Sequence, residues 1–165
     1  MIAAPAPTPK AVMAALERIA DPEIPAVSIV ELGMIGDVDV RPDRIHVELV
    51  PTFVGCPAVD MIRASIEDRL SAFCCRVDVD VSYATPWSSD RITPAGRVKL
   101  RRSGFAAPPP VREGRALPML DAASVPCPYC GSHRTRLESV FGPTQCRSVR
   151  YCADCRQPFE AFKPV

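Results

Sequence analysis

The sequence contains little histidine and no long run of apolar residues. Two histidines occur among 165 residues, and neither belongs to a Glu-x-x-His pair of the kind that holds di-iron centres in helical bundles. No stretch of apolar residues is long enough for a membrane-spanning helix. The opening MIAAPAPTPK also lacks the basic and apolar regions of a signal peptide, so we expect a cytoplasmic protein that does not bind membranes.

Glycine is scarce beside proline, with 8 glycines against 19 prolines. The prolines cluster in APAPTP and AAPPP, a composition typical of disordered termini and linkers. We therefore predict a disordered N-terminus at residues 1–9 and a proline-rich linker at residues 105–126. The chain also has 8 cysteines, and in a reducing compartment these favour metal ligands and functional thiols over disulfides.

The net charge of +1 hides an uneven distribution along the chain. Residues 1–90 carry 7 Lys and Arg against 14 Asp and Glu, whereas residues 91–165 carry 13 against 5. An acidic part and a basic part indicate docking onto other macromolecules or onto each other. Two ordinary solvated surfaces are the alternative explanation.

Hydrophobic periodicity predicts a small domain at residues 10–104. Val59, Ile62, Ile66 and Leu70 recur at helical spacing, whereas IHVELV alternates apolar and polar residues as a strand does. The fold class is therefore α/β of the α+β type, a sandwich with one layer of helices. The predicted elements are helices at 10–20 and 57–73, extended segments at 27–32, 35–40, 45–50 and 75–83, and a basic helical segment within 88–103.

Residues 127–165 contain the pattern C-x2-C-x21-C-x2-C, formed by Cys127, Cys130, Cys152 and Cys155. Two such pairs can form knuckles that close a tetrahedral site of four sulfurs, which favours zinc, with iron as the main rival. A segment of 39 residues buries too little apolar surface to fold alone, so the metal would supply much of its folding free energy. We predict a zinc-ribbon-like module with a structural ion.

A fifth cysteine, Cys146, lies between the two pairs. It could be a buried apolar thiol, a ligand in an alternative set, or an additional thiolate that allows ligand exchange. His133 could replace one thiolate, although an exposed loop histidine is the simpler interpretation.

The loop PTFVGCP of the first half carries a second candidate site. Cys56 precedes Pro57, which suits the first position of a helix, so the helix dipole would favour the Cys56 thiolate. Asp21 and Glu23, in the turn DPEIP, could fold back beside this loop and form a mixed soft and hard site. The alternative is a buried cysteine and two ordinary turn carboxylates.

Several stretches resemble known families. DPEIPAVSIVELGMI and TFVGCP are similar to the SufT-like domain of iron–sulfur assembly factors. TPWSSDRITPAGRVKL, CPYCGS and FGPTQCRSVRYCADC resemble the PaaD family, an accessory component of the phenylacetyl-CoA ring epoxidase system. The family implies a reactive cysteine at Cys56, and a role in maturing or supporting the oxygenase rather than catalysing epoxidation.

The resemblance leaves several functions open. The first is transient handling of iron or an iron–sulfur cluster by Cys56, Asp21 and Glu23, with an oxygenase or reductase subunit as client. The second is a stably bound structural subunit of the oxygenase. An electron-transfer subunit, in which the ribbon and Cys146 would hold an iron–sulfur cluster, is a further alternative. Nucleic-acid binding is disfavoured, because only Phe141 and Tyr151 could offer a stacking surface between the cysteine pairs. A homo-oligomer is compatible with the sequence.

Overall fold

The computed structural model describes residues 7–107 and 125–163 of the chain. The chain divides into two compact units, Met1–Trp87 and Ser88–Val165. Most of the predicted disordered N-terminus (1–9) and most of the predicted linker (105–126) lie outside the described residues. The architecture is mixed α+β, as the sequence predicts.

The first unit has one layer of helices and one three-stranded sheet. The strand order is β1-β2-β3, with β1 antiparallel to β2 and β2 parallel to β3. A helix joins the two parallel strands, as parallel pairing requires a crossover connection. The elements are α1 (Pro9–Leu16), β1 (Ile35–Val40), β2 (Arg44–Leu49), α2 (Val59–Ser71) and β3 (Arg76–Val81).

The core of this unit lies between the helices and one face of the sheet. Ile62, Ile66 and Leu70 of α2 are buried, which confirms the apolar stripe predicted from the sequence. Ile45 and Leu49 of β2 are also fully buried, whereas alternate residues of β2 are half-buried or exposed. The alternation shows that the sheet packs on the helices with one face only.

Helix α1 is shorter than the predicted helix at 10–20. It begins at Pro9, with the Thr8 side chain accepting a hydrogen bond from the Ala11 amide at 3.3 Å, and it ends at Leu16. The residues that follow pair instead with residues 27–29: the Ile29 amide donates to the Ile19 carbonyl at 3.0 Å. These backbone bonds replace the last helical turn and close the DPEIP segment into a loop.

The prediction of an extended segment at residues 27–32 is wrong. This stretch forms helical turns, in which the Leu32 amide donates to the Ser28 carbonyl at 3.0 Å. Ser28 and Glu31 exchange hydrogen bonds: the Ser28 amide donates to Glu31 Oε2 at 2.9 Å, and the Glu31 amide donates to Ser28 Oγ at 3.1 Å. This reciprocal pair is a capping box, which stabilises a helical start rather than a strand.

The second unit is built on a four-stranded sheet of order β4-β7-β6-β5. Strand β4 is parallel to β7, and the other neighbours are antiparallel. A small core contains Ala106, Val125, Phe159 and two of the candidate ligands, Cys127 and Cys152. The elements are α3 (Pro94–Arg102), β4 (Phe105–Ala106), β5 (Thr135–Ser139), β6 (Arg147–Cys152) and β7 (Pro158–Phe162).

Helix α3 confirms the basic helical segment predicted within residues 88–103. Thr93 caps it by accepting a hydrogen bond from the Gly96 amide at 3.0 Å, and Pro94 occupies its first turn, where proline is well tolerated. The contacts group α3 and β4 with the second unit, whereas the sequence predicts a first domain at residues 10–104. The reason is that β4 continues from α3 into the sheet of the second unit.

Candidate functional site

The four predicted ligands of the second unit come together in space. Cys127 and Cys130 lie on one knuckle, Cys152 ends β6, and Cys155 follows in the turn before β7. The Sγ atoms of Cys127 and Cys155 are 3.6 Å apart, as are those of Cys130 and Cys152. All four Sγ atoms lie within 4.8 Å of one another.

The two knuckles share one backbone pattern. In each knuckle, the carbonyl of the first cysteine accepts a hydrogen bond from the amide of the residue four positions later. The amide of the same cysteine donates a hydrogen bond to the carbonyl of the residue five positions later. The residue after the second cysteine has a positive φ, which is 75° for Gly131 and 59° for Arg156. The four hydrogen bonds, each written from the donating amide to the accepting carbonyl, are Gly131 to Cys127 (2.8 Å), Cys127 to Ser132 (2.9 Å), Arg156 to Cys152 (2.9 Å) and Cys152 to Gln157 (3.0 Å).

The surroundings of Cys130, Cys152 and Cys155 shift the pKa values of their thiols in different directions. The amides of Cys155 and Asp154 donate to the Cys152 sulfur and lower the pKa of Cys152 to about 7. Desolvation raises the pKa of Cys155 to about 12. A hydrogen bond from the Ser132 amide lowers the pKa of Cys130. Desolvation and the neighbouring Cys152 thiol outweigh this bond, so the pKa of Cys130 is raised. Ligation by all four sulfurs therefore requires a cation that displaces protons.

The geometry of the sulfurs fits one tetrahedral metal ion. With a metal–sulfur bond of about 2.3 Å, the edge of a regular tetrahedron of sulfurs is about 3.8 Å, close to the 3.6 Å separations of this cluster. Four thiolates without an oxygen or nitrogen ligand suit zinc or iron rather than magnesium or calcium. Since four protein ligands complete the tetrahedron, no position remains for a substrate, which is the arrangement of a structural site.

Asp154 joins the two knuckles. Its carboxylate accepts a hydrogen bond from the Ser132 hydroxyl and forms an ion pair with Arg134 Nη1 at 2.7 Å. The Ala153 amide also donates to the Arg134 carbonyl at 2.8 Å. These bonds hold the ligand-bearing turns in register, as polar partners around a metal site commonly do. The spacing of the cysteines gives no signal for these residues, so they could not be predicted from the sequence.

Cys146 does not belong to this cluster. It directly precedes β6, and six extended residues at about 3.3 Å each place it about 20 Å from Cys152. The Cys146 sulfur instead lies 3.2 Å from Thr144 Oγ1. Of the three interpretations of Cys146, the one that makes it an additional ligand of the same ion does not fit this structure, because β6 carries it to the far end of the sheet. His133 is exposed and is likewise outside the cluster.

Cys56 lies in an exposed loop between β2 and α2. Gly55 has a φ of 80°, and the Cys56 amide donates to the Phe53 carbonyl at 3.2 Å. The Cys56 side chain is half-buried, whereas the neighbouring Val54 is 74% exposed. The loop thus presents a thiol beside an apolar side chain at the molecular surface.

The helix after this loop begins later than predicted. Ala58 is the N-cap and Val59 the first helical residue, so Pro57 lies in a preceding turn rather than in the first helical position. The Val59 amide donates to the Cys56 carbonyl at 3.3 Å, which keeps Cys56 close to the helix start.

Asp21 and Glu23 lie in a tight turn that the Asp21 side chain organises. Asp21 Oδ1 accepts hydrogen bonds from the Glu23 amide at 2.9 Å and the Ile24 amide at 2.8 Å, and Asp21 is buried. Within residues 7–107 and 125–163, Cys56, Asp21 and Glu23 do not form a second cluster of metal-ligating atoms. Their joint participation in one site stays a prediction.

None of the helices within the described ranges has the length and apolar character needed to cross a bilayer.

Comparison with known proteins finds two family matches along the chain. Residues 9–83 match the family described as iron-sulfur cluster assembly protein, and residues 114–163 match the PaaD zinc beta ribbon domain. Two solved structures resemble the fold. One is a domain of unknown function from Bacillus anthracis (28% identity, TM-score 0.52, covering 55% of this chain and 89% of that one). The other is a conserved hypothetical protein from Thermotoga maritima (26% identity, TM-score 0.50, covering 58% and 95%).

A curated relative extends over nearly the whole chain. It is an Escherichia coli (strain K12) protein provisionally named as a subunit of 1,2-phenylacetyl-CoA epoxidase, which is 34% identical over 155 residues, or 93% of this chain and 92% of the relative. The match includes both the assembly-type domain and the ribbon. The chain therefore belongs to the PaaD family.

Proposed function

We propose that this protein is an accessory factor of a phenylacetyl-CoA epoxidase system and that it aids insertion of iron or an iron–sulfur cluster into a partner subunit. The observation that carries the proposal is the combination, in one chain, of an iron–sulfur-assembly domain with a PaaD ribbon. The similarity to the E. coli epoxidase protein supports the link to that enzyme system. Oxygenase and reductase subunits are the candidate clients.

Cys56 is the residue that would hold the cargo. A thiolate is a soft ligand suited to iron, and the half-buried Cys56 lies in a loop whose apolar tip, Val54, is exposed. On ligation the thiol loses its proton to solvent, and on transfer a ligand of the client replaces it. Weak ligation by one cysteine suits release, because a complete cage of protein ligands would retain the metal.

Asp21 and Glu23 would assist from the neighbouring turn. Because Asp21 Oδ1 accepts two backbone hydrogen bonds, we assign Asp21 the role of a positioning residue that fixes the turn. Glu23 is half-buried and carries the turn's second carboxylate. A carboxylate oxygen is a harder ligand than a thiolate and would suit iron in transit.

The ribbon would have a structural role with zinc as its ion. Its four sulfurs match a closed tetrahedral site, and two of them belong to the core of the second unit. Elemental analysis and a visible spectrum of anaerobically purified protein distinguish colourless zinc from a coloured iron centre.

The proposal is tested by replacing Cys56 in cells that produce the complete epoxidase system. We expect Cys56→Ser to lower both the iron content and the turnover of the purified epoxidase, whereas Cys74→Ser should leave both unchanged. Cys74 is the matched control because it is an exposed cysteine outside the loop. Full iron loading and normal turnover with Cys56→Ser would exclude Cys56 from the mechanism.

A stably bound structural or electron-transfer component is the second candidate. It is favoured by the name of the E. coli relative, which describes part of the epoxidase itself. Stoichiometric co-purification with the active epoxidase at high salt would support it, whereas absence from the active complex would support transient delivery. Electron transfer further requires a redox-active cluster, which the visible spectrum would reveal.

A further inference from the structure

The second unit contains a groove that is separate from the metal cluster and from the Cys56 loop. It has a volume of about 250 Å³ and is bounded by α3, β4 and the start of the first knuckle. Its walls include Arg97, Val98, Arg101, Phe105, Pro126 and Pro128. Val98 is 41% exposed, so an apolar side chain lies at the surface of α3 beside its basic residues.

The size of the groove indicates the kind of ligand that it can hold. Small-molecule and cofactor pockets span about 300–1,000 Å³, so this groove is too small for a coenzyme. A cavity of about 150 Å³ holds benzene, and the 250 Å³ of this groove therefore accommodates one aromatic or branched aliphatic side chain. A side chain of that kind would come from a polypeptide partner.

The charge around the groove indicates an acidic partner. Residues 91–107 contain five basic residues and no Asp or Glu. Arg101 is exposed, and no ion pair of its side chain occurs within the described part of the chain. Arg97 is half-buried and is held by a hydrogen bond of 2.6 Å from its Nη2 to the Ser89 carbonyl. The exposed Arg101 guanidinium thus places a positive charge beside the apolar centre of the groove.

The same basic residues could attract phosphates, but Phe105, the aromatic residue in the groove wall, has one ring face covered. The guanidinium of Arg147 lies over the Phe105 ring at 5.1 Å from its centroid. A nucleic-acid base could not stack on that covered face, and sequence-tolerant binding of single strands depends on such stacking. The groove therefore favours a protein partner over a nucleic acid.

The metal knuckle holds one wall of the groove in place. Pro126 and Pro128 flank the ligand Cys127, so the geometry of the knuckle sets their positions. On the other side, the turn after α3 packs against the knuckle: a Cβ atom at Gly104 would lie 2.9 Å from the Tyr129 hydroxyl. The ribbon thus gives the groove a fixed shape, which lowers the entropic cost of binding.

We propose that this groove binds an acidic polypeptide segment, which inserts one aromatic or branched aliphatic side chain against Val98, Pro126 and Pro128. Carboxylates beside that side chain pair with Arg101. The buried apolar side chain supplies affinity, and the carboxylates supply orientation and a fast encounter. This interaction is independent of any metal handling by Cys56.

Fluorescence anisotropy with the full-length zinc-loaded chain tests the proposal. The probes are labelled short peptides of Asp and Glu that differ only in one central residue. We expect saturable binding of the peptides with Phe, Leu or Ile at the centre, and at least about tenfold weaker binding with Ser, because burial of the apolar side chain is lost. Amide NMR shifts should change around Arg97 and Phe105 and not in the first unit.

Two charge-reversal variants separate a specific groove from general attraction. Arg101→Glu should weaken binding at least about tenfold, whereas Arg102→Glu should change it less than about twofold. Both residues are exposed neighbours on the same helix, but only Arg101 lines the groove. Normal circular dichroism of both variants establishes that they fold.

Three outcomes would overturn the proposal. The first is that no peptide of the set binds saturably at low ionic strength. Equal losses with Arg101→Glu and Arg102→Glu would show diffuse electrostatic attraction only. Tighter binding of a single-stranded oligonucleotide of the same net charge, weakened by Arg101→Glu, would assign the groove to nucleic acid.

Discussion

At the scale of single residues, the two metal knuckles differ at one backbone position. Gly131 and Arg156 both follow the second cysteine of their pair, and both adopt positive φ angles of 75° and 59°. Glycine enters this region without steric cost, whereas a residue with a Cβ atom pays about 1–2 kcal/mol there. The second knuckle therefore carries strain that the first knuckle avoids.

This difference predicts that a substitution at each position affects stability differently. Gly131→Ala should destabilise the ribbon by about 1–2 kcal/mol, because a Cβ atom is placed at positive φ. Arg156→Gly should be neutral or stabilising by up to about 1 kcal/mol, because Arg156 is exposed and its strain is relieved. The measurement is the concentration of a competing chelator at which each zinc-loaded variant releases half of its metal. If both variants released half of their metal at the same chelator concentration, the second knuckle would not be strained at Arg156.

The sequence predicts the ligands of the metal centre but not the residues around them. The four ligands follow from two close cysteine pairs, because each pair lies within one turn. The position of Cys146 could not be predicted, since nothing in the spacing shows that β6 runs unbroken from Arg147 to Cys152. The polar partners of Asp154 were equally hidden, because they meet only after the two knuckles come together.

At the scale of elements, local hydrogen bonding decided where helices begin and end. The wrong prediction for residues 27–32 had a signal that could have corrected it: Ser28 and Glu31 form the S-x-x-E pattern of a capping box. The early end of α1 had no such signal. The end of α1 depends on backbone hydrogen bonds between residues 19–21 and residues 27–29. These bonds form only when the chain folds back, so the local sequence does not predict them. Long periodic stretches such as α2 were predictable because their spacing alone defines a buried face.

The turn DPEIP gives a test at this scale. Asp21→Ala should destabilise the first unit by about 1–3 kcal/mol, because two amides lose their acceptor in a buried site. Asp21→Asn should reduce the stability of the first unit much less, since the side-chain amide oxygen can still accept both hydrogen bonds. Asp68→Ala, at an exposed position of α2, should change stability by less than about 0.5 kcal/mol. Urea unfolding monitored by the fluorescence of Trp87 measures all three variants.

The Asn variant also distinguishes two roles of Asp21. If Asp21 acts as a positioning residue, Asp21→Asn should support normal iron loading of the epoxidase. If its charge contacts iron, loading should fall although stability is retained. A fall in loading with Asp21→Asn at unchanged stability would contradict the positioning role.

At the scale of the whole molecule, the chain combines two units with opposite charge. The acidic residues concentrate in the first 90 positions and the basic residues in the remainder. Composition and motifs predicted both modules and their fold class, because each module carries its own local pattern. They could not predict that α3 and β4 group with the ribbon, since β4 is only two residues long and pairs with a strand more than fifty positions away.

The dependence of the second unit on its metal gives the prediction for the whole chain. Its small core includes Cys127 and Cys152 themselves, so removal of the ion leaves unsatisfied thiols where apolar packing would be needed. The first unit has a separate core of branched aliphatic residues on α2 and β2. Chelation should therefore unfold β5, β6 and β7 while leaving β1, β2 and β3 intact.

Hydrogen–deuterium exchange of the full chain, before and after treatment with a strong chelator, measures this prediction. Amides of Arg147–Cys152 and Pro158–Phe162 should lose protection, whereas those of Arg44–Leu49 and Val59–Ser71 should keep it. Restoration of protection by added zinc is the control, because it separates metal loss from irreversible damage to the thiols. A ribbon that keeps its protection after complete metal removal would show that packing alone holds it. Loss of protection in both units together would show instead that the first unit depends on the ribbon for its stability.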